Sequence, residues 1–492
     1  MKPVVLSGSG VTVEDVVAVA RLRAKVEAVP AVTVRLEEAR RVLDRTAASG
    51  QKIYGLNTGL GANLGTDVDG DAGAFQRQLV EGRSGAVGEK LPAEIVRAAM
   101  FTRTATLAVG GSGISPSVFS ALLAALDAGV HPVMPSLGSI GASDLLLMTA
   151  LARLLIGEGE AEFSGERLPA GEALRRAGLK PVALAPKDGL SLVSSSGISI
   201  GQGALVVADA LAVFAEQQQA GALTIEGIGA NSNSLDVRSQ AARPAFGQEQ
   251  AAEGLRALLA GEAPGPRTLQ APLSIRCMAP IHGALLHAIG QARQAVEIEL
   301  NAAADNPLVL AKDGVVLSTG NFHTAALALA FEGLGLAVAQ AAAASAARFV
   351  QLTGPGRNGL PKYLSPVGGA SAGFVPLQKA VSAILAAIRH KANPVLLDFL
   401  PVSEGVEDHA TQAPLAVAKC ADMVALWRRL VAFELMAAAQ AVDLRDGLRL
   451  APGTAAVHAQ VRDLVRPLHE DRPLGEDADR LYKALSSGKW QA

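Results

Sequence analysis

The first half of the chain carries hydrophobic side chains in helix-like stripes that are separated by polar breaks. Apolar residues that recur every three or four positions lie on one face of a helix, so this spacing predicts amphipathic helices. The spacing covers residues 9–29, 34–48, 75–81, 92–109 and 115–128. The first helix is expected to begin near Thr12 or Glu14, because a threonine side chain can cap a helix N-terminus.

The second half is dominated by long, alanine-rich helical stretches. They cover residues 199–219, 281–303, 324–350, 375–391 and 414–444. At roughly 1.5 Å per residue, each is long enough to cross a large domain. Because helices of this length bury their apolar faces against one another, the pattern predicts a helical bundle.

Several segments interrupt these helices. Residues 54–71, YGLNTGLGANLGTDVDGD, and the passage PVMPSLGSIGASD are too rich in turn-forming residues for regular structure and are expected to be loops. Residues 157–172 and 181–189 are polar and predict a surface excursion with short strands. We therefore predict a mainly α fold. A loop-rich active-site region would span residues 1–189, and the long-helix bundle with a C-terminal helical region would span residues 190–492.

Composition narrows the class of protein. Half of the residues are apolar but only 3% are aromatic, so the core must consist of Ala, Leu and Val in closely packed helices. The net charge is -2 and no run of Lys or Arg stands out, which argues against a nucleic-acid partner. Residues 325–347 contain Glu332 and Gln340, so we interpret them as a buried bundle helix and expect no membrane association.

The cysteine count and the N-terminal sequence bear on location. Two cysteines cannot form a disulfide framework in 492 residues and fit a reducing compartment. The N-terminus lacks a basic segment followed by a continuous apolar one, so it does not resemble a secretory signal. We expect a cytoplasmic protein. No metal site is expected either, because the cluster Glu407, Asp408 and His409 has no second histidine at ligand spacing.

Six motifs in a fixed order resemble the aromatic amino acid ammonia-lyase family. They are YGLNTGLG from Tyr54, GSIGASDLLLMTALARLLIGEGEA from Gly138, LSIRCMAPIHG from Leu273, DNPLVL from Asp305, GNFH from Gly320 and EDH from Glu407. The resemblance spans about residues 50–415. It implies an ammonia-lyase-like fold and a carbon–nitrogen lyase that acts on a small aromatic amino acid or betaine. It also implies a homotetramer whose active sites are shared between subunits.

The resemblance also concerns a prosthetic group. In that family an Ala-Ser-Gly triplet cyclises and dehydrates to the electrophile methylidene-imidazolone, which requires a backbone nitrogen to attack the carbonyl two residues earlier. This chain reads Ala142, Ser143 and Asp144, without the glycine that lets the backbone turn. We therefore expect that no electrophile forms and that no cofactor is used.

Three further positions depart from the family pattern. Ser194 stands where the family has an asparagine near the electrophile, and Leu273 replaces a tyrosine, so a phenol has become a group that cannot exchange a proton. Arg83 aligns with a family histidine. We expect Ser194 and Arg83 to contact substrate.

Other positions are retained. Tyr54 matches the loop tyrosine that transfers a proton, and Arg276 matches the arginine that clamps the substrate carboxylate, a role that suits its planar guanidinium. Glu407 matches the acidic group beside the substrate ring in histidine-directed members. Phe322 matches a residue near the reacting centre, and Asn306 matches a polar residue at a helix start. Tyr54 and Glu407 are predicted catalytic residues, and the other three are predicted to bind substrate.

The retained and altered positions together suggest a leaving group that needs no activation. A quaternary ammonium leaves as a neutral amine, as in the ergothionase branch of the family, which releases trimethylamine from ergothioneine. Lys379, where the family often has a neutral residue, would stabilise negative charge on a thioimidazole sulfur beside Glu407 and is a third predicted catalytic residue. The alternatives are a histidine or aromatic amino acid ammonia-lyase, another elimination or aminomutase on this fold, and a catalytically silent member that acts as a binding protein.

Overall fold

The computed structural model describes residues 2–68, 70–261, 266–356, 358–397 and 399–490. Helices dominate the fold. In the first half of the chain the helices are α1 Val13–Ala20, α2 Pro30–Ala48, α3 Ala72–Gly82, α4 Ala93–Val109, α5 Pro116–Ala128, α6 Leu145–Leu155, α7 Ala170–Arg176, α8 Asp188–Val193 and α9 Gly197–Ile228. The remaining helices are α10 Val237–Ala241, α11 Gln248–Leu258, α12 Leu273–Arg276, α13 Met278–Leu300, α14 Ala325–Leu352, α15 Leu377–Lys391, α16 Ala413–Asp443, α17 Pro452–Leu464 and α18 Leu474–Ser486. The prediction of a mainly α fold is confirmed.

Short strands form small separate sheets. They are β1 Val4–Leu6, β2 Val26–Ala28, β3 Val87–Lys90, β4 His131–Pro132, β5 Pro135–Leu137, β6 Glu160–Phe163, β7 Glu166–Pro169, β8 Leu308–Leu310 and β9 Val315–Leu317. β1 pairs with β2 in parallel, and β3 pairs with β5 antiparallel. β6 lies between β4 and β7, and β8 pairs with β9, all antiparallel. β6 and β7 are the short strands predicted in the surface excursion.

The long helices agree with the sequence pattern to within a few residues, except that α9 ends nine residues later than predicted. One prediction near the N-terminus is wrong. Residues 9–29 do not form a single helix, because α1 ends at Ala20 and Val26–Ala28 forms β2. The start is as predicted: the Thr12 side chain accepts a hydrogen bond from the Asp15 backbone, and Asp15 accepts one in return. The helix ends because the next apolar residues satisfy their backbone in a strand pair.

Two compact units make up the chain. Unit 1 comprises Met1–Ala208, Ala292–Phe331 and Pro394–Ala418, and unit 2 comprises Asp209–Gln291, Glu332–Asn393 and Lys419–Ala492. These units are interleaved along the sequence. The division at residues 189 and 190 was drawn from composition and remains a prediction about organisation.

Each unit has its own core. In unit 1, one apolar cluster joins α2 to the residues on either side of Tyr54 and to β8, through Val42, Ile53, Leu56 and Val309. In unit 2, the guanidinium of Arg348 donates to the Glu434 carboxylate, with Nη2 and Oε2 2.9 Å apart and both side chains fully buried. A buried pair of this kind has to be fully hydrogen-bonded to be tolerated.

Two stretches, Asp188–Ile228 and Ala325–Leu352, are long and apolar enough to cross a membrane by length and composition, but 67% and 50% of their most apolar windows are buried. The buried core helices of soluble proteins meet the same criteria of length and composition, so this finding is weak evidence that either helix spans a membrane.

Candidate active site

The Tyr54 loop is held by apolar and polar contacts within unit 1. Ile53 and Leu56 are buried in the core cluster, which fixes the chain on both sides of Tyr54. The amide of buried Gln76, on α3, donates to the Gly55 carbonyl at 2.9 Å, and its oxygen accepts from the Leu190 backbone at 3.0 Å. One glutamine thus joins the loop to α3 and to α8, which ends just before Ser194.

Tyr54, Arg83 and Glu407 act on one another electrostatically. The phenol oxygen of Tyr54 accepts a hydrogen bond from the Gly61 backbone at 3.0 Å. Burial raises the pKa of Tyr54, the Gly61 bond and Arg83 lower it, and Glu407 raises it further, with a net upward shift. Burial also lowers the pKa of Arg83, which Tyr54 and Glu407 raise. The structure therefore groups three of the predicted residues around the phenol.

The two partners of Tyr54 come from separate elements. Arg83 directly follows α3 as its C-cap residue. Glu407 follows a turn in which Ser403 and Glu404 both have left-handed backbone, with φ of 53° and 58°. The Ser403 hydroxyl donates to the Glu407 carboxylate and so fixes the orientation of the Glu407 side chain.

A second group of predicted residues lines a small cavity of about 20 Å³. Ser143, Ser194 and Phe322 face it, together with Arg103 and Glu299. Burial raises the pKa of Glu299 to about 7, so near neutral pH this carboxyl exists in both protonation states. A cavity of this size holds about one water-sized molecule.

The loop that carries Ser143 is fixed through its glycine. The Gly141 carbonyl accepts hydrogen bonds from Thr411 at 3.0 Å and from Thr324 at 3.3 Å. Gly141 has a φ of +82°, and a Cβ there would lie 1.9 Å from the Thr411 hydroxyl. Only glycine therefore fits. Ala142 forms an isolated β-bridge with His323, so the segments around residues 141, 323 and 411 meet at the cavity.

Asp144 is fully buried and forms hydrogen bonds at the start of α9. Its carboxylate accepts from the Ser199 backbone at 2.8 Å and from the Ser139 hydroxyl at 2.8 Å. Burial raises the pKa of Asp144, and these hydrogen bonds oppose that shift. A carboxylate at a helix N-terminus also satisfies backbone donors there.

Asn306 lies before a strand and not at a helix start, which corrects that part of the sequence interpretation. Its side-chain oxygen accepts from the Thr319 backbone at 3.0 Å. Thr319 immediately precedes the GNFH segment, so Asn306 holds the start of that segment. Its predicted contact with substrate remains a prediction.

Arg276 and Lys379 belong to unit 2, whereas the other predicted site residues belong to unit 1. Arg276 is the last residue of α12, and its Nη1 donates to the Gln270 side chain at 2.6 Å. Lys379 lies in the first turn of α15 and is exposed. Leu273, which replaces the family tyrosine, is 63% exposed.

The structure also identifies site residues that the sequence did not single out. Arg103 and Glu299 line the cavity, and Gln270 orients the predicted carboxylate clamp. The Arg103 guanidinium donates to the buried Asp305 carboxylate at 2.7 Å. The DNPLVL motif pointed to Asp305, but a partner 202 residues away in sequence gives no local signal. Within the ranges that the structure describes, no group of three or more His, Cys, Asp or Glu side chains is arranged to hold a metal ion.

Comparison with known proteins identifies the family of this chain. The family profile described as aromatic amino acid lyase matches residues 11–463. A histidine ammonia-lyase from Anaeromyxobacter dehalogenans is 40% identical over 99% of both chains. The crystal structure of ergothionase from Treponema denticola, in complex with desmethyl-ergothioneine sulfonic acid, has a TM-score of 0.95, with 31% identity over 99% of both chains. The structure of histidine ammonia-lyase from Trypanosoma cruzi has a TM-score of 0.92, with 31% identity over 99% of this chain and 94% of that one.

The family match overturns one expectation. The prediction that no cofactor is used is wrong, because the family uses the methylidene-imidazolone group, which forms autocatalytically from an Ala-Ser-Gly segment. Here Ala142, Ser143 and Asp144 occupy that place. Ala142 and Ser143 match the first two residues of that segment, and Ser143 has a left-handed backbone, with a φ of +64°. Asp144 departs from the pattern, since it carries a side chain and its backbone nitrogen donates to the Ser195 carbonyl at 2.8 Å.

The matched profile covers most of the chain, and full-length relatives at 40% identity are carbon–nitrogen lyases. The arrangement of a half-buried loop tyrosine, a neighbouring cation and a cavity lined by Ser143 and Phe322 is in keeping with such an enzyme. This chain is a carbon–nitrogen lyase and belongs to the aromatic amino acid lyase family.

Proposed function

We propose that the protein eliminates trimethylamine from ergothioneine, a histidine-derived betaine, to give the unsaturated acid. The observation that carries this proposal is the whole-chain similarity to ergothionase, whose structure holds an ergothioneine derivative. Two altered positions support it. Ser194 and Leu273 stand where relatives carry groups that serve the activation of a primary amine. A quaternary ammonium already leaves as a neutral amine, so its elimination depends least on that activation.

The proposed chemistry needs a base, a clamp and a leaving group. In it, the Tyr54 phenolate removes the Cβ proton, the C–H electron pair becomes the Cα–Cβ double bond, and the amine departs with the Cα–N electron pair. Arg83 favours the phenolate because its positive charge lowers the pKa of Tyr54. Glu407 would face the substrate ring, where its carboxylate can accept a hydrogen bond from an imidazole N–H.

Arg276 and Lys379 would complete the site from another subunit. Both belong to unit 2, and α12 presents Arg276 beside the 63% exposed Leu273. Leu269, near the start of that segment, is 87% exposed. Large apolar side chains next to a functional cation are typical of an interface that is covered in the assembled protein. We therefore propose a homotetramer with shared active sites.

A second candidate is histidine ammonia-lyase. The identity of 40% with a protein of that name favours it. The two activities differ in the amine that is released, so product analysis separates them. Purified protein would be incubated with ergothioneine, hercynine and histidine, and trimethylamine and ammonia would be measured in each reaction.

We expect trimethylamine from ergothioneine, together with a new ultraviolet absorbance from the conjugated acid, and neither from a Tyr54→Phe control. Ammonia from histidine with no trimethylamine from either betaine would favour the ammonia-lyase. Tight binding of one compound without turnover of any would favour a silent binding protein.

A further inference from the structure

His323 and His409 form a side-chain pair between the residues that line the small cavity and the residues that surround the Tyr54 phenol. His323 Nε2 and His409 Nδ1 are 3.0 Å apart, and the ring centroids are separated by 5.0 Å. His323 directly follows Phe322, which faces the cavity, and His409 lies two residues after Glu407. The pair is thus a side-chain bond between the Phe322 segment and the Glu407 segment.

The surroundings limit how the two rings can move. The His323 backbone pairs with Ala142. Thr324 directly follows His323 and Thr411 lies two residues after His409, and both threonine hydroxyls donate to the Gly141 carbonyl. The Phe399 ring lies 5.4 Å from the His409 ring, centroid to centroid. The His323 segment is therefore fixed at its backbone, and the imidazole bond ties the Glu407 segment to it.

The acidic residues that the structure describes form no ion pair with either ring. Among the residues that the structure describes, no carboxylate lies within ion-pair distance of His323 or His409. Burial, and then His409, lower the pKa of His323, which keeps that ring neutral near pH 7. A neutral ring can donate with one nitrogen and accept with the other, so the two histidines can share one N–H.

We propose that His323 and His409 are positioning residues, whose shared N–H···N bond sets the distance between Phe322 and Glu407 across the substrate. This role is distinct from proton transfer, which the proposed function assigns to Tyr54. It rests on the proposed function in one respect only, namely that Phe322 and Glu407 both contact the substrate. The existence of the bond itself does not depend on which substrate is used.

Asn and Gln carry the same amide group at different distances from the backbone. Substituting them for each histidine therefore tests which ring nitrogen makes the bond. The Asn amide overlays the imidazole Nδ1 position and the Gln amide overlays Nε2. His409→Asn and His323→Gln therefore keep a polar group where the bond is made. His409→Gln and His323→Asn carry the same group at the wrong reach and serve as controls.

We expect the two matched variants to retain kcat/KM within a few-fold, and the two mismatched variants to lose on the order of 10- to 100-fold, as is usual when a group that orients a catalytic side chain is removed. Melting temperatures should not follow this order. Equal losses in all four variants, full activity in all four, or losses that follow melting temperature would overturn the proposal.

A measurement without turnover separates this inference from the proposed function. Hydrogen–deuterium exchange at the imidazole C2 position, followed by mass spectrometry, reports the pKa of each histidine. The mismatched His409→Gln should raise the pKa of His323, because His409 lowers it, whereas substitution of His131, which pairs with Glu162, should not. An unchanged pKa of His323 in His409→Gln would refute the bond. If the exchange result holds and none of the three compounds is turned over, the proposed function fails and the histidine pair stands.

Discussion

Arg83 lowers the pKa of the Tyr54 phenol, whereas burial, the larger effect, raises it. With the net shift upward from a value near 10, the phenol is protonated at neutral pH and only a small fraction is the phenolate. The reactivity of the site therefore depends on how strongly nearby cations oppose the effect of burial.

Replacing Tyr54 by Phe should remove the proposed base while keeping the ring. We expect kcat to fall by on the order of a hundredfold or more, with a smaller change in substrate binding. Steady-state kinetics and isothermal titration would measure the two effects. Tyr482→Phe, in which the tyrosine packs on Arg429 in unit 2, is the matched control and should keep normal activity. A Tyr54→Phe enzyme with near-normal kcat would assign the base to another group.

Replacing Arg83 by Met should move the pH profile to higher pH. Below the pKa of Tyr54 the phenolate fraction rises tenfold per pH unit. Loss of the cation raises that pKa, so the rising limb of kcat shifts upward and the rate at pH 7 falls. Arg83→Lys should shift the limb less because it keeps a charge, and Arg77→Met, on the exposed face of the same helix, should not shift it. An unmoved limb in Arg83→Met would show that Tyr54 ionisation does not control the rate.

Replacing Arg103 by Met should destabilise unit 1. The variant removes the ion-pair partner of the Asp305 carboxylate, which is buried and already has one unpartnered oxygen. We expect a loss of about 3–5 kcal/mol in the free energy of unfolding, measured by urea titration. The double variant with Asp305→Asn should recover part of this loss, because the unpaired charge is then gone. Equal stability of the single and double variants would argue against the charge as the cause.

Replacing Lys379 by Met tests the predicted contact with sulfur. If Lys379 stabilises negative charge on a thioimidazole, activity towards ergothioneine should fall far more than activity towards hercynine, which lacks the sulfur. Lys391→Met is a control on the same helix, since that side chain pairs with Asp422 at 2.7 Å. Equal losses on both substrates, or none, would leave Lys379 as a solvent-exposed charge.

Subunit mixing tests the shared site. Tyr54 belongs to unit 1 and Arg276 to unit 2, so a tetramer that combines an inactive Tyr54→Phe chain with an inactive Arg276→Ala chain should contain some sites with both native residues. Co-expression with two different tags and purification on both should then restore part of the activity. Mixed assemblies that remain inactive would place both residues of each site in one chain.

The long helices could be predicted because their signal is local. The apolar spacing that predicts α14 lies within the helix itself, and α13 and α16 were also placed to within a few residues. β2 was missed because its partner is a separate strand 22 residues earlier, and pairing of that kind leaves no periodic trace in a three-residue segment.

Residues of the candidate site could be proposed from the sequence where a motif marked them. Tyr54, Ser143 and Phe322 stand in motifs, whereas the His323–His409 bond joins residues 86 positions apart and could only be seen in three dimensions. The cofactor expectation failed for a different reason. It treated the missing glycine after Ser143 as decisive, whereas the family to which this chain belongs uses the prosthetic group.

Gly141 limits how this enzyme can be re-engineered. Its carbonyl receives two threonine hydroxyls, and its α-carbon has no room for a methyl group. Directed evolution towards new substrates must therefore leave this position alone and keep Thr324 and Thr411 with it, because a change in any of them loosens the other two. Diversity is better placed at Phe322 and Ser194, whose side chains face the cavity, so that new pocket shapes are explored on an undisturbed backbone.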